Sequence, residues 1–182
     1  MQKIRGSHVL ITGAARGIGR AVALELATRG ARLELVDLDE SGLKSVREEA
    51  VERGALAASV ARVDVSDAAA VEDLARRVLA RTGPLDALIN AAGVAVFGPV
   101  LDTDEELWRH VLEINLLGTV RCTRAFAPSM VERGRGQIVN VASASAFCAV
   151  PGLGAYATTK YAVLGLSEAL RSELAASGVG VS

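Results

Sequence analysis

Tyr156 and Lys160 stand four residues apart, and on a helix that spacing sets a phenol and an ammonium on one face. A free tyrosine has a pKa near ~10 and is a poor base at neutral pH. A fixed cation beside it favours the phenolate and makes proton exchange with a substrate oxygen feasible. Taken alone, the pair reads as ordinary helix surface. Ser143 changes that reading: it lies thirteen residues upstream, just past a segment with the pattern of a buried strand. A hydroxyl at the carboxyl end of a central strand can hydrogen-bond a substrate carbonyl and stabilise developing oxyanion charge. The trio suits proton transfer to or from a substrate oxygen.

A second group of residues suits a phosphate. Thr12-Gly13-Ala14-Ala15-Arg16-Gly17-Ile18-Gly19 ends the first apolar run and passes straight into a helical segment. Glycines there permit a tight turn and a close backbone approach, while a helix N-terminus offers free amides and positive dipole to a pyrophosphate. A glycine motif carries weight only in this strand–turn–helix setting. Asp37, at the end of the second strand, is placed to accept hydrogen bonds from an adenosine ribose. Its charge repels a 2′-phosphate and favours NAD over NADP, with Arg16 as the counter-signal.

These groups need a scaffold. His8 to Thr12, Arg32 to Val36, Leu56 to Val63, Leu85 to Asn90 and Gln137 to Ala142 read as buried strands. Gly17 to Arg29, Asp67 to Arg81, Glu105 to Arg133 and Tyr156 to Ala176 have helical spacing. Alternating strands and helices imply a three-layer α/β domain, doubly wound around a parallel sheet over residues 1–182, with strand order 3-2-1-4-5. Gly30 is expected to end the first helix, Thr103 with Glu106 to cap the fourth, and Gly83-Pro84 to stop the third. Gly178 to Ser182 resembles the start of a sixth strand, and the natural chain is expected to continue beyond it.

Composition narrows the functions. The 182 residues are 51% hydrophobic and 23% charged, with 20 Lys+Arg against 21 Asp+Glu. That near balance lacks the basic footprint of a nucleic-acid binder. Two cysteines, Cys122 and Cys148, and two histidines, His8 and His110, provide neither a disulfide framework nor a metal cluster. The uncharged stretch from Ile138 to Thr159 is broken by Asn140, Pro151, Gly152 and Gly154 and does not suit a membrane helix. A cytoplasmic protein is expected.

Taken together, Thr12-Gly-x-x-x-Gly17-x-Gly19, Asp64-Val65, Asn90-Ala91-Ala92-Gly93, Asn115, Ser143 and Tyr156-x-x-x-Lys160 resemble the short-chain dehydrogenase/reductase family in order and spacing. The resemblance implies a Rossmann-type fold and an NAD(P)-dependent oxidoreductase acting on secondary alcohols or ketones. Tyr156 would be the acid/base and Ser143 would polarise the substrate oxygen. Lys160 would hold the nicotinamide ribose and favour the phenolate, and Asn115 would hold a relay water. Asp64 would meet the adenine with Val65 beside it, Asn90 and Gly93 would line the cofactor, and Ile18 would support the pyrophosphate turn. Ala91 departs from the family's second asparagine, a position associated with bracing the sheet. A homodimer or homotetramer pairing the fourth and last helices is also implied, favoured by the small residues Ala157, Ala162, Gly165 and Ala169. Val94, Phe97, Ser145 and Phe147 are expected near the substrate. The alternatives are an NADPH-dependent 3-oxoacyl-type reductase and a non-catalytic dinucleotide-binding module.

Overall fold

Residues 4–148 and 150–182 are described by the computed structural model. Six strands form one parallel sheet: β1 (His8–Thr12), β2 (Arg32–Asp37), β3 (Ala57–Arg62), β4 (Ala87–Asn90), β5 (Gly136–Asn140) and β6 (Val179–Val181). Their order is β3-β2-β1-β4-β5-β6, so the winding reverses between β1 and β4. Thr12 pairs in register with Val36 on one side and Asn90 on the other. Thr12 and Asn90 end their strands and Val36 stands one residue from the end of β2, at the edge where a doubly wound sheet opens a crevice. The expected order is borne out, with the sixth strand joined to β5.

The crossovers are α1 (Gly17–Thr28), α2 (Glu40–Glu52), α3 (Ala68–Thr82), α4 (Glu105–Leu112), α5 (Gly118–Arg133) and α6 (Gly154–Glu173). Alternation along β1 divides the core. Val9 and Ile11 pack with Ala23, Leu24, Leu43 and Val46 of α1 and α2. Leu10 faces the other layer, with Leu74 and Val78 of α3 and Phe126 and Met130 of α5. Buried strands of this kind read as continuous apolar runs.

Three helix starts, those of α2, α3 and α4, are set by carboxylates. Asp39 and Asp67 accept the amides of Gly42 and Ala70. The fourth helix corrects the expected capping box: Asp104 caps it, accepting Leu107 N–H at 2.7 Å. Thr103 stands one residue before that cap, its hydroxyl donating to Pro99 O at 2.9 Å. Gly30 lies in the left-handed region, donating to Ala27 O as expected. The segment expected as one long helix is interrupted between α4 and α5 by a π-helical turn, Glu113–Leu117, the kind of local bulge that redirects side chains at a site. Asn115 sits on that turn and is buried.

At the amino edge of the sheet, Glu34 is buried beneath α3. One oxygen lies 3.1 Å from His8 Nε2 and the other accepts from Arg81 at 2.6 Å. Burial alone pushes the Glu34 carboxyl up, but hydrogen bonds from His8 and Arg81, with their charges, hold it below the ordinary value of 4.5. Cys122 is buried on α5, and burial pushes its thiol up to about 12, consistent with packing rather than reactivity. Among the described residues no helix is long and apolar enough to cross a membrane, and no cluster of side chains is arranged to hold a metal.

Candidate active site

A cleft of about 440 Å³ runs along the carboxyl edge of the sheet, across the point where strand order reverses. Its floor is the turn after β1. Gly13 (φ 67°) lies so near the loop after β4 that a Cβ there would stand 2.8 Å from Ala91 O. A Cβ on Gly19 would overlap the Gly13 carbonyl, so α1 packs directly on the turn. Gly17 differs: nothing lies within 4 Å of its Cβ position, and its φ is 56°. The space above the first amides of α1 is therefore open to a ligand. Arg16 and Ile18 are exposed on its walls.

At the β2 end, the Asp37 carboxylate is held on both oxygens. Oδ2 accepts the Ala15 amide at 3.0 Å and Oδ1 the Asp39 amide at 3.1 Å. Each oxygen keeps a lone pair for a hydroxyl. Asp64 and Val65 line the same end, with Asp64 Oδ1 accepting from the amide and hydroxyl of Ser66. The glycine floor, the open helix start and the oriented carboxylate fit a dinucleotide.

The β4–β5 end carries Gly93, Tyr156 and Lys160, with Ala91 on the wall between. Tyr156 is half-buried in the first turn of α6, and the Lys160 ammonium stands 5.7 Å from its ring centre. Lys160 is itself buried and donates to Val141 O at 2.7 Å. Its burial lowers its pKa, since the charged form loses water. No carboxylate pairs with it among the described residues. A Cβ on Gly93 would sit 3.7 Å from this ammonium, so the glycine leaves it room. Ser143 follows β5 and is half-buried, its hydroxyl accepting the Ser145 amide at 3.1 Å. The hydroxyl keeps its own proton to donate, and Ser143 directly follows Val141 and Ala142, which line the cleft, without lining it itself.

Several expected site residues lie behind the wall. Thr12 is buried, and its hydroxyl accepts the amides of Ala91 and Ala92 at 3.1 Å each. It ties β1 to the loop after β4, where Ala91 brings only its amide and packs against the apolar cluster. Asn90 is also buried, donating to Asn140 Oδ1 and Thr123 Oγ1. Asn140 in turn donates to Ser167 on α6. Asn115 grips Val94 twice, accepting its amide at 2.8 Å and donating to its carbonyl at 2.9 Å. Its remaining N–H reaches Thr159 Oγ1, which donates to the Tyr156 carbonyl. Both side-chain N–H groups of Asn115 are thus committed within the protein.

Val94 lines the cleft as expected. Phe97 and Phe147 do not: they are 79% and 73% exposed, outside the cleft. Ser145 is buried, likewise off the cleft wall. Sequence reasoning missed Thr159 and the Val141 carbonyl. Thr159 had a weak signal, a polar residue beside Lys160 on the buried side of a helix. A backbone acceptor has none.

A profile of the short-chain dehydrogenase family matches residues 7–182. The chain is 45% identical over 175 residues to the "Probable oxidoreductase EphD" of Mycobacterium tuberculosis, covering 96% of this chain and 29% of that protein. It thus spans under a third of that relative's length. Among solved structures, a metagenomic short-chain oxidoreductase in complex with NADP superposes with a TM-score of 0.95 at 35% identity, covering all of this chain and 81% of that one. A short-chain dehydrogenase/reductase from Burkholderia phymatum in complex with NAD gives the same score and identity, covering all of this chain and 66% of that one. With the sheet order, the glycine floor and the Tyr156–Lys160 pair on the same edge, this chain belongs to the short-chain dehydrogenase family.

Proposed function

We propose that the chain binds NAD in the cleft and exchanges a hydride between it and a secondary alcohol or ketone, with Tyr156 as acid/base. The observation that carries this reading is the buried Lys160 ammonium 5.7 Å from the Tyr156 ring, at the end of a glycine-floored cleft. Gly13, Gly17, Ile18 and Gly19 would hold the pyrophosphate and Asp37 the adenosine ribose. Asp64 and Val65 would meet the adenine, and Gly93 and Lys160 the nicotinamide ribose. When bound, the dinucleotide supplies the hydride acceptor or donor.

The chain's own groups handle the oxygen and its proton. In oxidation the Tyr156 phenolate accepts the alcohol's hydroxyl proton, and in reduction the phenol returns it. The Ser143 hydroxyl donates to the substrate oxygen and steadies its charge. The Lys160 cation, unpaired by any carboxylate among the described residues, favours the phenolate beside it. Thr12 and Asn115 act as positioning residues, one fixing Ala91 and Ala92, the other linking Val94 to the Tyr156 helix.

Asp37 supports NAD; Arg16 on the cleft wall and the NADP-bound neighbour support the phosphorylated cofactor as a second reading. The test is reduced-cofactor formation from a panel of secondary alcohols with NAD and with NADP. Turnover with NAD at least tenfold above NADP is expected. Higher activity with NADP would reverse the cofactor assignment, and binding without turnover would leave a dinucleotide-binding module. Pairing of two copies through α5 and α6 is also proposed, supported by exposed Gly165 and Ala169 on α6; a monomer in sedimentation would refute it.

A further inference from the structure

Five of the large apolar side chains left exposed are gathered in two short segments: Phe97, Val100 and Leu101 after β4, and Phe147 and Val150 after β5. Leu101 is 97% exposed. Scattered exposed apolar residues are ordinary, but a concentrated patch marks a place where something binds. Both segments grow out of the cleft. The first leaves from Val94 and Ala95 and the second from Val141 and Ala142, all four lining it. They are then tied together, with Gly98 N–H donating to Gly152 O at 2.9 Å and Gly98 bridging Leu153, immediately before the helix that carries Tyr156. Val100 packs so closely on Gly154 that a Cβ there would collide with it. The patch is thus continuous with the end of the cleft where the phenol stands.

Its chemistry is uniform. No residue from 87 to 101, or from 136 to 159, carries a charge, in a chain that is 23% charged overall. From 91 to 101 there is no side-chain hydrogen-bond donor at all. Ser143 and Tyr156 suffice for one substrate oxygen. A polyol or sugar acid would set its other hydroxyls or carboxylate against apolar side chains and lose their hydrogen bonds to water. An alkyl or alicyclic body would instead cover Phe97, Leu101 and Phe147 and gain from their desolvation.

We propose that the substrate is a secondary alcohol or ketone bearing an apolar body of several carbons, which lies over Phe97, Leu101 and Phe147 while its oxygen meets Tyr156. This rests on the alcohol-oxidising reading above.

The test compares kcat/KM with saturating NAD for 2-butanol, 2-hexanol and 2-octanol against threitol and xylitol. A rise of about twofold per added methylene is expected, since a chain lying on an open patch is covered on one side and gains about half of what full burial of a methylene gives, with both polyols at least about a hundredfold below 2-octanol. The double variant Phe97→Ser, Phe147→Ser should lower kcat/KM for 2-octanol about tenfold more than for 2-butanol. A flat series, or polyols equal to 2-octanol, overturns the inference while leaving the alcohol-oxidising reading intact. A flat series with dimerisation abolished by Leu101→Ser would make the patch an interface between copies. No turnover of any compound, with NAD still bound, would instead remove the reading on which the inference rests.

Discussion

At the amino edge of the sheet, Glu34 is buried with His8 on one oxygen and Arg81 on the other; at the carboxyl edge, Lys160 is buried with one backbone carbonyl, Val141 O. Both place a charge out of water, which is costly unless it is compensated. The first is compensated by countercharge inside the fold. The second is only partly compensated, and its field is left to act on the Tyr156 ring. Closure of the polar cluster at one edge serves stability, and incomplete closure at the other leaves a cation for chemistry. The hydrogen bonds of Thr12 and Asn115 behind the cleft wall follow the closed pattern, whereas Asn90 donates to Asn140 and Thr123 but its Oδ1 is buried without a partner among the described residues.

The comparison can be broken most sharply at Tyr156. Tyr156→Phe should lower kcat about a thousandfold while dinucleotide affinity, read by cofactor fluorescence, stays within about twofold. Equal losses in both would mean that the phenol holds the cofactor instead of moving a proton. At the opposite edge, Glu34→Gln should cost about 2 kcal/mol in urea unfolding with kcat unchanged. The sign of its pH dependence follows from its lowered pKa. The ion cluster stabilises fully above about pH 4.5, and that contribution is lost as pH falls through the folded value. Glu34→Gln should flatten this part of the acid unfolding curve.

Smaller effects sharpen the contrast. Asp37→Ala should narrow the preference for NAD over NADP by about tenfold, measured as the ratio of the two kcat/KM values. Thr159→Val removes the hydroxyl between Asn115 and the Tyr156 carbonyl. It should cost about 1 kcal/mol of stability and reduce kcat about fivefold. A variant that lost stability alone would place Thr159 with the closed clusters.

Much of the scaffold is legible in the residues. His8 to Thr12 was bounded correctly because an apolar run is cut by a glycine turn, and Gly30 ended α1 by its own backbone freedom. Other features were read one step off. Thr103 and Asp104 are both capping residue types, and only the position of the first helical turn, with Leu107 N–H on Asp104 Oδ1, assigns the cap to Asp104. The π turn at Asn115 leaves the apolar spacing of the helix nearly unaltered, so periodicity passes over it. Phe97 and Phe147 read as residues near the substrate from their neighbourhood, and the structure leaves both exposed and off the wall of the cleft.

By itself the sequence determined what local sterics and spacing determine: the glycine turn, the alternation of strands and helices, and a phenol four residues from an ammonium. Only the tertiary structure decided which polar side chains face the cleft and which brace it from behind. Thr12 finds its partner eighty residues away and Asn115 spans forty-four to Thr159. Such pairings exist only after the strands have been brought side by side, because a hydrogen bond depends on distance and direction in space, and separation along the chain specifies neither.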